Sequence, residues 1–264
     1  MLIDRKVIEN IFNSLPSKVK VRLKRAIKLI VNAKEKGGKV VAVVGSGPNL
    51  HEGVTTLLAE LIHKGIIDGI STSSAVINHE MAGTLEKVKR FDGVAFGFER
   101  EKLPSDGFFE VSILSKARLE EVQREIPIDI ALYQRMRRAK GDIIIKVAGN
   151  MAYPTGLRTE RLARDVLAVA KRCGVPFEQM AGYGADHLTM IGAGAERNIP
   201  VLVTVPQLVG GGEVGLAVGD SLSVTERCYR IANLLDSADV IIESALALSQ
   251  EVHDGPFERF TGHG

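Results

Sequence analysis

The feature that most constrains this chain is a recurring unit: a short β-branched apolar run, a polar or glycine-rich loop, then a longer stretch with helical spacing. Uninterrupted apolar runs of this length are strands buried on both faces, and their alternation with helices marks βαβ units around a parallel sheet. Strands are expected at 39–44, 66–71, 142–147, 199–205 and 239–243, with weaker ones at 93–98 and 109–113. Helices are expected at 4–13, 17–35, 52–63, 74–90, 116–139, 157–172, 186–197 and 221–235. The fold class that follows is α/β: an open, mostly parallel sheet with helices on both faces. With 264 residues, 45% of them hydrophobic, the whole of 1–264 fits one such domain, residues 1–36 being a helical preface packed on it.

Each strand leads into an informative loop: GSGPNLHEG after Val44, STSSAVINHE after Ile70, AGNMAYPTG after Val147, PQLVGGGEVG after Val205 and ESALALSQEVHDG after Ile242. In an open parallel sheet such loops share one edge, where ligands bind outside the carboxyl strand ends. Gly45, Ser46, Gly47, Pro48 and Asn49 lie between a strand and a helix start, where backbone N–H groups can face an anion, although a tight turn requiring glycine reads the same way. Ser71, Thr72, Ser73 and Ser74 make a second loop with more hydroxyls than helix capping uses.

Composition narrows the class. The longest apolar runs fall far short of the roughly 20 residues that cross a bilayer. The charged start, MLIDRKVIENIF, is unlike a secretory signal, so a cytoplasmic location is expected. Cys173 and Cys228, the two cysteines, lack the spacing of a disulfide framework or zinc site. The net charge of +2 hides a gradient from basic KVKVRLKRAIKLIVNAKEKGGK at 18–39 to a mildly acidic region after Val201. Val19, Leu23, Ile27, Ile30 and Val31 give the basic stretch the spacing of an amphipathic helix with a solvated face. Neither a nucleic-acid nor a membrane partner is expected.

The segment 45–85, GSGPNLHEGVTTLLAELIHKGIIDGISTSSAVINHEMAGTL, resembles the deoxyhypusine synthases in its order of strand, Asn-Leu loop, helix, strand and small-residue loop. The resemblance implies a deoxyhypusine synthase-like NAD-binding fold, a homo-oligomer and a bound dinucleotide. Its cofactor-binding candidates are Gly45, Ser46, Gly47, Asn49 and Leu50, then Thr72, Ser73 and Ser74, then Gly211 and Gly212. One departure is decisive for chemistry. That family forms an imine on a lysine shortly after a triple glycine, whereas Gly210, Gly211 and Gly212 precede Glu213, Val214 and Gly215, and no lysine follows Lys171. A carboxylate cannot form an imine, so synthesis by that route is not expected.

Histidines beside carboxylates supply proton-transfer candidates: His79 in NHE, His187 after Asp186, and His253 in EVHDGPFE. Each has a structural reading too: a helix start for His79, an exposed first turn after an Asp186 cap for His187, and a solvated turn for His253. Glu243, closing the apolar strand DVIIES, is the favoured acid or base. Arg158 and Arg161 beside a helix start could orient a carboxylate or phosphate, and the Gly219-Asp220-Ser221 stretch could end a flexible lid. The leading expectation is an enzyme that binds NAD or a related nucleotide and acts on a small polar metabolite. The alternatives are a hydrolase or lyase holding a divalent metal with the histidine and carboxylate cluster, although no HExxH spacing occurs, and a non-catalytic ligand-binding protein.

Overall fold

Five consecutive buried aliphatic residues, Val40–Val44, form β1 inside a parallel sheet. The computed structural model describes residues 4–45, 53–149, 152–205 and 212–244. β1 is flanked by β2 (Gly69–Ser73) and by the last strand of the chain, β8 (Val240–Ser244); β7 (Val201–Val205) adds outside β2, giving the order β7-β2-β1-β8 with every pair parallel. Helix α3 (Val54–His63) returns the chain from β1 to β2, and α4 (Ser74–Ala82) leaves the carboxyl end of β2.

A second, mostly antiparallel sheet is inserted after α4. Its strands β3 (Leu85–Asp92), β4 (Phe108–Ser112), β5 (Gly141–Val147) and β6 (Ala152–Tyr153) take the order β5-β3-β4-β6. Between them lie the short α5 (Gly93–Phe96) and the helices α6 (Lys116–Glu125) and α7 (Ile130–Arg138). Phe91, Val111, Tyr133 and Met136 form this sheet's main core. Helices α8 (Thr155–Cys173), α9 (Phe177–Gly182) and α10 (Met190–Arg197) then lead to β7, and α11 (Gly212–Ser221) and α12 (Val224–Asp236) to β8.

Several expectations are corrected. The strand expected at 142–147 exists but belongs to the antiparallel sheet, so four of the five loops, not five, follow parallel strands. Residues 74–90 are not one helix: α4 stops where Gly83 turns to φ +133, and β3 follows. The helix at 116–139 breaks before Pro127, which holds Ile126 extended at φ −138 and ψ 149. The weak strand at 93–98 is a helical turn that Asp92 caps by accepting from Ala95 N at 2.9 Å. Residues 212–221 are not a flexible arm but a helix burying Val214, Gly215, Ala217 and Val218.

One face of the parallel sheet, through Ala42, Val44 and Ile70, packs on α3, α4, α9, α10 and α11. On the other, Val41 and Leu202 pack against Ile231 and Leu234 of α12. The N-terminal helices α1 (Arg5–Ser14) and α2 (Ser17–Glu35) have no buried residue. They do not pack on the sheet along their length: α2 reaches it at its last turn, where Lys34 Nζ donates to both Asp68 oxygens at 2.8 Å.

Buried carboxylates tie the helices together. Glu80 in α4 accepts from Met190 N and Ile191 N, both at 2.9 Å, and so holds the start of α10. Glu178 in α9 accepts from Val203 N at 2.9 Å and from Arg227 Nη1 of α12 at 2.5 Å, joining both faces around β7. Burial pushes the Glu80 carboxyl up to about 7, against the pull of its two backbone donors. With the folded value above the unfolded 4.5, the protonated form stabilises the fold fully below pH 4.5, and that contribution fades as pH rises through about 7. Denaturant midpoints should therefore show Glu80→Gln losing most to the native protein near pH 4.5, the gap narrowing by up to about 3 kcal/mol by pH 8; a constant gap would refute the assignment. Arg227→Met strands the fully buried Glu178 carboxylate and should cost about 3–5 kcal/mol, with Glu178→Gln added to it restoring part of the loss. A loss below about 1 kcal/mol in urea unfolding would show that the pair is not a tie.

Candidate functional site

The strand order has its reversal between β1 and β8: the chain builds outward from β1 to β2 to β7, then crosses to the other side of β1. At such a reversal two loops diverge from neighbouring carboxyl ends and leave a crevice. Val44 pairs with Thr72 on one side and Ser244 on the other, and Gly45 N donates to Ser244 O at 3.5 Å, so Gly45 lies at that crevice. Ser46, Gly47, Asn49, Leu50, Gly211 and His253, all candidates from the sequence, lie outside the described residues.

The hydroxyl run expected as a loop is not one: Ser71, Thr72 and Ser73 end β2 and Ser74 opens α4, all fully buried. Thr72 Oγ1 donates to Val44 O at 2.8 Å and Thr204 Oγ1 to Thr72 O at 3.1 Å, which fasten the carboxyl ends of three strands. Ser73 occupies the N-cap of α4 without making a side-chain cap bond. Among the described residues, its Oγ and that of Ser71 are buried without a partner. An unmatched buried hydroxyl costs about 1–3 kcal/mol, and Ser73 keeps one at the carboxyl end of β2, on the β7 side of β1 rather than between β1 and β8. The start of α11 is already engaged. Glu160 Oε2 accepts from Glu213 N at 2.7 Å, its Oε1 accepts from Asn78 Nδ2 at 2.8 Å, and a Cβ at Gly212 would meet Glu160 Oε1 at 2.4 Å.

His79 is the single residue of α4 that is not buried. Its Nδ1 lies 3.0 Å from Ala148 O, a contact in which the ring nitrogen is the donor because a carbonyl oxygen only accepts. Gly149 packs flat on that ring, where a Cβ would come within 2.7 Å of Cε1. The loop after β5 therefore reaches α4 although its strand left the parallel sheet. Glu243 stands on the exposed edge strand β8, beside Val43 of β1.

His187 is placed elsewhere. Its side chain is 68% exposed, and its carbonyl accepts from His63 Nε2 at 2.8 Å at the end of α3, where the chain has returned from the carboxyl edge. There it lines a separate cleft of about 540 Å³ with Gly83, Glu86, Arg118, Glu121 and Arg158. Asp186 does not cap the next helix: it accepts from Leu188 N at 2.9 Å, and Thr189 is the cap. Burial raises the Glu86 carboxyl above the usual range, opposed by hydrogen bonds from Ser112 at 2.6 Å and Thr155 at 3.4 Å. Reading 74–90 as one helix concealed Glu86, because the apolar residues of β3, Leu85, Val88 and Phe91, recur every third position instead of alternating. Arg158, expected to orient an anion, donates to Glu125 and to Met81 O. Among the described residues no three His, Cys, Asp or Glu side chains converge as a metal requires, so His79, His187 and Glu243 do not share a cation site.

No protein-family model and no curated protein matches the chain. Solved structures that resemble it include a cysteine-to-alanine mutant of AgrE in binary complex with L-arginine, at 14% identity and a TM-score of 0.45 over 94% of this chain and 26% of that one. A conserved protein assigned to the LOR/SDH group from Methanococcus maripaludis is similar at 12% identity and 0.45, over 88% of this chain and 52% of that one. A protein assigned as a deoxyhypusine synthase from Entamoeba histolytica is similar at 13% and 0.39, over 94% and 70%. The chain thus spans about a quarter and about half of the first two, and the relationship is a distant one in architecture.

Proposed function

We propose that this chain is an enzyme that binds NAD or a related nucleotide across the carboxyl ends of β1 and β8 and acts on a small polar metabolite. The carrying observation is the buried, unpartnered Ser73 hydroxyl at the N-cap of α4, at the carboxyl end of the strand that neighbours β1. The residues assigned to the nucleotide are Gly45, Ser46, Gly47, Asn49, Leu50, Thr72, Ser73, Ser74, Gly211 and Gly212. A nicotinamide nucleotide, when bound, supplies hydride transfer. His79, held through Nδ1 by Ala148 O, and Glu243 on β8 are the proton-transfer candidates. The chain has Glu213 where imine chemistry would need a lysine, which argues against deoxyhypusine synthesis.

Equilibrium dialysis against NAD, NADP, ATP and ADP tests the reading, and retention of none of them would sink it. Ser73→Ala sharpens the test. Losing one hydrogen bond should weaken nucleotide binding about 3- to 10-fold, while thermal stability without ligand stays level or rises because an unsatisfied buried hydroxyl is gone. A fall in stability with unchanged affinity would make Ser73 a structural residue.

A further inference from the structure

Two surfaces among the described residues expose apolar side chains and differ in charge. Residues 1–36 hold ten Lys or Arg against three Asp or Glu, a net +7 in a chain of net +2, leaving −5 for the rest. In α1 and α2 this charge surrounds an apolar groove of about 520 Å³ lined by Ile8, Ile11, Phe12, Leu15, Leu23 and Ile27, with Leu23 38% and Ile27 48% exposed. Neither helix buries a residue, so tertiary packing, which supplies most helical stability, does little to hold them.

The second surface is the β8 margin of the α12 face. Ile241 pairs with Val41 and shares its face of the sheet, yet α12 covers Val41 while Ile241 stays 40% exposed. The sequence that builds this side is acidic: 201–243 carries six Asp or Glu against two Arg, and one of the two, Arg227, is engaged by Glu178; Asp236, at the end of α12, is exposed. The chain's own α2 also meets β1 and β8, but Lys34 ties its end to Asp68 and its residues Leu23 and Ile27 stay exposed.

We propose that α2 of a second copy of this chain lies on the β8 margin, its apolar stripe on Ile241 and its basic flanks against that acidic side. Reciprocal exchange closes a two-fold dimer. Charge decides the pairing: hairpin on hairpin would bring +7 against +7, whereas hairpin on body brings opposite signs together. The arrangement is independent of what the crevice binds.

Sedimentation velocity of the full chain at micromolar concentration should show a dimer that loosens with added salt. Leu23→Glu with Ile27→Glu, which touches no buried residue, and Ile241→Arg on the other surface should each raise the dimer Kd at least tenfold. Lys24→Glu with Arg25→Glu should weaken it too, and Asp236→Arg added to that pair should recover part of the loss. A monomer at every concentration, or a dimer indifferent to both apolar variants, overturns the proposal. Tightening by Lys24→Glu with Arg25→Glu would indicate hairpin against hairpin and overturn it equally.

Discussion

Carboxylates buried inside helices, each accepting a backbone N–H from an element far along the chain, set how the helices sit on the parallel sheet. Glu80 reaches 110 residues ahead to the start of α10, Glu160 reaches the start of α11 and Asn78, and Glu178 joins β7 to α12. Apolar packing is tolerant of small slides between helices; a carboxylate matched to one or two amides is not. Because α4 carries Asn78, His79 and Glu80 on consecutive residues, one helix is fixed from three directions, and the crevice beside its first turn inherits that rigidity.

The parallel half of the fold was legible because its strands are buried on both faces and so read as unbroken apolar runs. VVAVV and VLVTV could be little else. The antiparallel half was not, since β3 reads LEKVKRFD, in which charge on the exposed positions is equally compatible with a helical surface. Gly83 and Pro127 were visible stops, but each was outweighed by the helix-forming residues around it. Helix α11 was hidden by its glycines: Gly215 is buried, so the small residues that look like a hinge serve close packing instead.

The candidate site was legible in part for the same reason. Strand-end positions follow from strand assignments, so Gly45, Ser73 and Glu243 came out at carboxyl ends. His187 did not, because its neighbourhood is made by α3, a contact that no local pattern in the sequence expresses. The roles of Glu80 and Asn78 were likewise invisible as structure. In sequence they look like members of a polar active loop, whereas Glu80 holds backbone amides.

The order of the strands has a consequence for how the chain is made. Val40 finds Val240 across three quarters of the polypeptide and Ile70 finds Val201 across about half of it, whereas all four strands of the second sheet lie within residues 85–153. On a ribosome the middle of this protein can be finished while the β1–β2 pair still shows two open edges, since closing long loops is the slow step. A nascent chain stalled anywhere before β7 would present those hydrophobic edges to its neighbours, so the interval between residues 73 and 201 is when this polypeptide most needs a chaperone.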